Sequence, residues 1–580
     1  MSLVLHGIAV GKGYAIGKVH LLSSGLEDVT QYAINEEHIE SEVIRYENAI
    51  KQTKKQLDEL RKYISGDLPK ELGAFISFHS MMLSDVTLSH APIEIIKEQK
   101  INAEWALRQQ LVKLSSQFDS IGDDYLRTRK QDLNQVVEKI YKSLSGVEIN
   151  DIQLNDLFED VVLVATDISP ADAVLFKENR VCAFITDVGG STSHTAILGK
   201  TLGIPSVLGL RNARSLIKED ERIIVDGVNG IVILDPDKVI LDEYEKKIQE
   251  YKKYRRKLNE IKNVSATTLD GVDIEILANI EEISDLTLAN KNGANGVGLF
   301  RSEFLFLNRN TIPSEEEQFE YYLTLVKEAS GKPVTIRTVD IGADKSPRWF
   351  GHCDVIHPAI GLTGIRLSLA EPIMFRTQMR AILRAAQFGK VKMMWPMIAS
   401  ITELKQCLRH LNIAKEQLDN AGVRFESDIE VGIMVETPSA ALAITTLIKY
   451  VDFISIGTND LIQYTMAVDR GNDSINDLYQ STHPVILKLI SHSIKTAIRY
   501  NKPVSVCGEM AADSELTRML LGMGLKSFSI NIPSMLAVKN VIVNTNIQET
   551  QSYVNRLLKN ENPERVDTLL YKINNYDRFQ

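Results

Sequence analysis

No apolar run of about 18 residues, the length a bilayer-spanning helix requires, occurs in the chain, so a membrane span is not expected. The N-terminal Met1-Ser2-Leu3-Val4-Leu5-His6-Gly7 has no basic flank ahead of an apolar block, so no secretory signal is expected. Cysteine is scarce. Four in 580 residues (Cys182, Cys353, Cys407, Cys507), none in Cys-x-x-Cys spacing, provide neither a disulfide framework nor a zinc site. The phosphate loop Gly-x-x-x-x-Gly-Lys-Ser/Thr is absent. Positive charge is short as well: 66 Lys and Arg against 76 Asp and Glu give a net charge of −10, which argues against nonspecific nucleic-acid binding. A cytoplasmic location follows as the default expectation.

What the chain does have is an ordinary globular balance, 44% hydrophobic and 24% charged. At 580 residues it is too long for a single core, so about two to four domains are expected. Residues 1–24 read as short strands around Gly7, Gly11, Gly13 and Gly17, ending in Val19-His20-Leu21-Leu22. From about Asn35 the apolar residues Ile39, Val43, Ile44, Ile50, Leu57, Leu60 and Ile64 recur at helical spacing. That texture runs to about residue 144 with only Pro69 and Pro92, which predicts a helical bundle or hairpin domain. From Asp160 the texture turns α/β, with strands predicted at 161–165, 181–186 and 222–226. Residues 237–262 lack Gly and Pro and predict a long exposed helix joining two domains.

After Thr267 eight strand candidates follow in order: 274–278, 296–300, 333–336, 391–397, 430–435, 453–456, 503–507 and 527–530. Helical segments separate most of them, the pattern of a TIM barrel. Active sites of that fold lie at the C-terminal strand ends. There the sequence places Asn279, Arg301, Arg337, Glu436, Asn459, Asp460, Cys507 and Glu509.

Four groups of residues carry chemistry. Gly189-Gly190-Ser191-Thr192-Ser193-His194-Thr195-Ala196 puts a histidine where an apolar helix begins. Imidazole is nucleophilic at neutral pH, and glycines with a helix N-terminus favour a phosphate. Glu436 and Asp460, one β/α unit apart, suit Mg²⁺ that shares its shell with substrate oxygens. Arg301, Arg337 and Arg470 suit bidentate contacts with carboxylate and phosphate. Cys507, at the end of the seventh barrel strand, is placed to pass a proton to carbon. Cys182, Cys353 and Cys407 have no such context and read as structural.

Together these motifs resemble enzyme I of the bacterial phosphoenolpyruvate:sugar phosphotransferase system, over essentially the whole chain. The resemblance rests on Gly-Gly-x-Thr-Ser-His at His194, Gly-Leu-x-Arg-x-Glu-Phe-Leu-Phe ending at Phe306, and Ile336-Arg337-Thr338. It continues through Met434-Val435-Glu436-Thr437-Pro438, Gly457-Thr458-Asn459-Asp460-Leu461 and Cys507-Gly508-Glu509. It implies that His194 accepts phosphate from phosphoenolpyruvate and passes it to a histidine of the carrier protein HPr. It also implies that Glu436 and Asp460 ligate magnesium, that Arg301, Arg337 and Arg470 with Asn459 bind phosphoenolpyruvate, and that Cys507 donates the proton. The implied fold is multidomain α/β. Residues 1–24 and 146–236 would form a swivelling phosphohistidine domain, with an inserted helical HPr-binding domain at 25–145. A linker helix would follow at 237–262, then a phosphoenolpyruvate-binding TIM barrel at 263–580 that forms a homodimer. His79 matches a motif of the helical domain and reads as a packing histidine. Three positions depart from the family: Ser191 and Thr363 stand where it carries Arg, and His357 where it carries Asn, while Arg366 is retained. Beside this reading stand a regulatory phosphoacceptor with weak turnover and a phosphoenolpyruvate synthase or dikinase relative, the latter requiring a nucleotide-binding domain.

Overall fold

The computed structural model describes residues 2–22, 29–64, 79–119, 124–145, 160–168, 181–189, 195–196, 199, 203–307, 309, 311–341, 361–468 and 478–575. Ser191, His194, Cys353, His357 and Arg470 lie outside the described residues. The chain divides into two compact units, Met1–Tyr254 and Arg255–Gln580.

The first unit contains an eight-stranded sheet. Its strands are β1 (Leu3–His6), β2 (Ile8–Gly11), β3 (Tyr14–Leu21), β4 (Val161–Ala165), β5 (Val181–Thr186), β6 (Ser206–Leu208), β7 (Arg222–Asp226) and β8 (Ile231–Leu234). They lie in the order β1-β8-β7-β3-β4-β5-β6-β2. β3 through β6 pair in parallel, and the flanking pairs are antiparallel. Every residue of β4 is buried, which a Val- and Leu-rich run permits because both faces of the sheet are covered. Alternation then divides the core. Val162, Val164, Ala183 and Ile185 pack on one face, and Val161, Leu163, Ala165 and Phe184 on the other. Gly11 allows close approach at this sheet's edge, since a Cβ there would lie 1.9 Å from the Ile204 carbonyl oxygen.

Helices Ile39–Ile64, Ala91–Gln99, Ala103–Asp119 and Asp124–Leu144 form a second core around Tyr46, Leu57, Leu107, Val136, Val137 and Ile140. His79 is wholly buried. The long helix predicted over 237–262 runs from Lys238 to Glu260 with one buried residue, Tyr244. The Tyr244 hydroxyl donates to Asp226 Oδ2 at 3.0 Å.

The second unit is a closed barrel of eight parallel strands. These are β9 (Glu275–Ile280), β10 (Gly296–Arg301), β11 (Val334–Arg337), β12 (Val391–Trp395), β13 (Glu430–Val435), β14 (Phe453–Gly457), β15 (Val504–Cys507) and β16 (Ser527–Asn531). All eight predicted strands are present, with ends shifted by up to two residues. β12 stops at Trp395 because Pro396 has no amide to donate and Met397 adopts φ 52°. β16 closes on β9 over Ser527–Asn531.

Candidate active site

The C-terminal strand ends of the barrel carry most of the candidate residues named from the sequence. Arg301 is the last residue of β10 and Arg337 the last of β11. Glu436 follows β13 directly, Asn459 and Asp460 lie in the first turn of the helix Thr458–Met466 after β14, and Cys507 ends β15.

The two arginines share a partner. Glu303, in the short 3₁₀ turn after β10, accepts from Arg301 Nε at 2.9 Å and from Arg337 Nη2 at 2.7 Å, both on Oε1. Arg301 also pairs with Glu281, and Arg337 Nη1 lies 2.7 Å from Asp340 Oδ2. Burial opposes the charge on Arg337, yet Asp340, Glu303, Glu436 and Asp460 hold it firmly protonated. Burial would raise the Glu303 carboxyl, but Arg337 and Arg301 outweigh it and lower it.

Glu436 is fully buried. Its Oε1 accepts from the Met397 amide at 2.6 Å, and its Oε2 has no hydrogen-bond partner. Burial raises its pKa well above the usual carboxylate range, and the negative charges of Asp340 and Asp460 raise it further. Asp340 is raised by burial and by Glu303 and Asp460, against the pull of Arg337. An orphaned, buried carboxylate oxygen inside a cluster of acids is an acceptor set that a hard dication satisfies. Among the described residues no three His, Cys, Asp or Glu side chains form a metal cage. A dication held here by Glu436 and Asp460 would therefore complete its shell with water and substrate oxygens.

Cys507 is 3% exposed. Its Sγ accepts from the Ser455 hydroxyl at 3.3 Å and lies 3.4 Å from the Ile456 carbonyl oxygen. Burial pushes the thiol up to about 11, so it carries its proton at neutral pH. Asn459 Oδ1 accepts from the Glu509 amide at 2.9 Å, which ties the ends of β14 and β15 together. Gly508, at φ +97°, makes room for this, because a Cβ there would lie 2.5 Å from Thr458 Oγ1.

Arg301, Arg337, Glu436, Asp460, Asn459 and Cys507 thus all belong to one end of the barrel. Asn279 instead bonds within the barrel, to Ser529. Thr195, the residue after His194, donates its hydroxyl to Asp167 Oδ1 at 2.7 Å. Sequence reasoning assigned no role to Glu303 or Asp340. The available signal was an acid two residues after one arginine and three after the other.

Three domain families match the chain: PEP-utilising enzyme, N-terminal, over residues 6–129; the mobile domain of PEP-utilising enzymes over 157–230; and their PEP-binding domain over 255–547. The phosphoenolpyruvate-protein phosphotransferase of Cupriavidus necator is 44% identical over 583 residues, covering 99% of this chain and 100% of the relative. The chain belongs to the phosphoenolpyruvate-protein phosphotransferase family. The family member from Bacillus subtilis is 38% identical over 562 residues, covering 97% and 98%. A solution structure of an Enzyme I protein is 33% identical, covering 43% of this chain and 99% of that one at a TM-score of 0.35. His194 falls within the segment matched by the family's mobile domain. Arg301, Arg337, Glu436, Asn459, Asp460, Arg470 and Cys507 fall within the PEP-binding segment.

Proposed function

We propose that this enzyme takes the phosphoryl group of phosphoenolpyruvate onto His194 and passes it to a histidine of a small HPr-type carrier protein, releasing pyruvate. The supporting observation is the barrel end itself. Two arginines joined on one buried carboxylate share it with two acids suited to a dication and a protonated thiol.

The residues divide the work by chemistry. Arg301 and Arg337, with Arg470 and Asn459, orient the carboxylate and phosphate of the substrate through fork-shaped hydrogen bonds. Glu436 and Asp460 hold Mg²⁺, which when bound offsets negative charge on the phosphoryl oxygens. An imidazole nitrogen of His194 forms a bond to phosphorus as the bond to the enol oxygen breaks. Cys507 gives its proton to the methylene carbon of the enolate, so the product leaves as pyruvate, and the thiolate regains a proton from water before the next turnover. The phosphoimidazole then delivers its group to the carrier histidine, and His194 is restored. Because His194 belongs to the first unit and the substrate residues to the second, the cycle needs a hinged swing of the histidine-bearing domain.

The domain plan of this reading has the phosphohistidine domain at 1–24 and 146–236 and the carrier-binding helices at 25–145. The linker helix spans 237–262, and the barrel at 263–580 also serves dimerisation. No helix among the described residues is long and apolar enough to cross a membrane. The reading places the enzyme in the cytoplasm, where phosphoenolpyruvate is available to it. The departures at Ser191, His357 and Thr363 leave the nucleophile, metal ligands and proton donor untouched.

The deciding experiment uses phosphoenolpyruvate labelled in its phosphoryl group. The label is expected on the peptide carrying His194 and then on the carrier. His194→Ala should abolish transfer and leave phosphoenolpyruvate binding intact. Label on another side chain, or normal turnover by that variant, would refute the assignment.

A further inference from the structure

Glu303 lies two residues beyond the end of β10, and the fold sets its carboxylate between that strand end and the end of β11. Its carboxylate is 2% exposed, and a single oxygen, Oε1, receives both Arg301 Nε and Arg337 Nη2. The second oxygen, Oε2, is buried with no hydrogen-bond partner, so the junction of the two arginines runs through one atom. The turn carrying Glu303 is itself pinned. The Ser302 hydroxyl donates to the Arg337 carbonyl at 2.6 Å. Gln378 Nε2 donates to Ser302 Oγ at 2.9 Å, while Gln378 Oε1 accepts from the Val339 amide at 3.0 Å. Backbone amides of Phe306 and Leu307 return to the Glu303 carbonyl at 2.9 and 3.0 Å. A buried charge needs its partners held in good geometry, and this network supplies the holding.

We propose that Glu303 is a positioning residue for substrate capture. Its bridging oxygen fixes the Arg301 and Arg337 guanidiniums at the spacing and tilt at which they jointly take the carboxylate and phosphate of phosphoenolpyruvate. The proposal rests on the reading of Arg301 and Arg337 as the substrate arginines. Two effects compete at this position. Loss of the Glu303 charge makes the site more positive, which by itself favours a trianionic substrate. Loss of the junction leaves Arg301 paired with Glu281 and Arg337 with Asp340, two separate acids, so their spacing relative to each other is no longer fixed, which disfavours bidentate capture. Planar fork geometry decides such contacts more than net charge does, so loss of orientation is the larger effect.

Glu303→Gln keeps the shape and one acceptor oxygen but replaces two ion-paired hydrogen bonds with weaker ones from a guanidinium to a neutral oxygen. In steady-state assays with the full chain, KM for phosphoenolpyruvate should rise roughly tenfold, with kcat changed by less than about threefold, because an interaction shared by ground and transition states is lost. KM for the carrier protein should not move. A fall in KM for phosphoenolpyruvate would show that Glu303 acts as a competing negative charge, and the proposal would be wrong. A drop in kcat in the folded variant with both KM values unchanged would place the Glu303 interaction in the transition state rather than in substrate capture, and would equally overturn it. Should the glutamine variant fail to fold, Glu303→Asp decides by the same ratio, since it keeps the charge but cannot reach both arginines. Arg301→Ala and Arg337→Ala run alongside. If those leave KM for phosphoenolpyruvate unchanged, the arginine assignment is what fails. If they raise it and Glu303→Gln does not, Glu303 alone is misassigned.

Discussion

Thr195 follows the proposed acceptor histidine directly and is 2% exposed. Its hydroxyl donates to Asp167 Oδ1 at 2.7 Å and lies 3.2 Å from the Ile168 carbonyl oxygen. The chain at His194 is therefore tethered one residue downstream by a charge-assisted hydrogen bond. Thr195→Val preserves the branched shape and removes that bond. It should cost about 1.5–3 kcal/mol of stability in the first unit, the range for a hydrogen bond to a charged group. It should also slow phosphoryl transfer to the carrier while leaving phosphoenolpyruvate binding unchanged; stopped transfer with lost substrate binding would contradict this division. A second prediction concerns Gly457. A Cβ there would lie 2.9 Å from Glu436 Oε2 and 3.0 Å from Glu436 Cβ, and Glu436 is fully buried with little room to yield. Gly457→Ala should push the carboxylate aside and raise the Mg²⁺ concentration needed for half-maximal turnover by about tenfold or more, as removal of ligand support does at other metal sites. An unchanged Mg²⁺ titration would show that Glu436 is not a ligand.

The helices of the first unit carry a test of pH. Arg45 Nη2 donates to Glu42 at 2.6 Å and to Glu104 at 2.7 Å, joining the helices Ile39–Ile64 and Ala103–Asp119. Burial would raise the Glu104 carboxyl, but hydrogen bonds from Arg45 and Asn102 and the Arg45 charge outweigh it and lower it below 4.5. The unfolded chain then binds that proton more readily than the folded one. The contribution is present above the ordinary glutamate range and is lost as pH falls through the folded value. Because the Arg45 side chain is 35% exposed, about 1 kcal/mol or less is at stake. Amide-exchange protection factors in these two helices, taken against the intrinsic rate at each pH, should fall below about pH 4.5, and Glu104→Gln should flatten that acid limb; identical acid profiles would remove the pair from the account.

Much of this architecture was legible because periodicity reports burial. The eight barrel strands are short apolar runs between turns, and they were found in order. The strands β6 and β8 were not predicted. Ser206–Leu208 is three residues long, too short for a pattern, and Ile231–Leu234 has four successive apolar residues that fit helix or strand equally. The grouping of the candidate residues was legible where they sit at a strand end, as with Arg301, Arg337, Glu436 and Cys507. It was not legible where the arrangement depends on who pairs with whom. That one oxygen of Glu303 serves two arginines from different strands is a tertiary fact, and no spacing in the sequence encodes it.

The division between the two units falls inside the helix Lys238–Glu260, and each side holds its own part of the connection. In the first unit Tyr251 donates its hydroxyl to the Lys12 carbonyl at 3.0 Å, and Tyr14 meets both Tyr244 and Tyr251 edge to face. In the second, Lys539 is 4% exposed and its ammonium donates to the Lys262 carbonyl at 2.8 Å. Burial lowers the pKa of that lysine, so the Lys262 carbonyl is part of what keeps its charge tolerable. This sets where a functional barrel can be cut. Barrel closure needs only β9 through β16, so a fragment starting after the linker should still fold. A fragment of residues 265–580, however, leaves a buried ammonium without its acceptor, at a cost of about 1–3 kcal/mol. The fragment 255–580 should melt several degrees higher than 265–580, and Lys539→Met should erase most of the difference. Both fragments should bind phosphoenolpyruvate in the presence of Mg²⁺ by calorimetry, and neither should phosphorylate the carrier, because His194 is missing from each. Equal melting temperatures would discard Lys539 as the anchor of the linker's end, and a folded barrel blind to phosphoenolpyruvate would place substrate recognition outside the second unit.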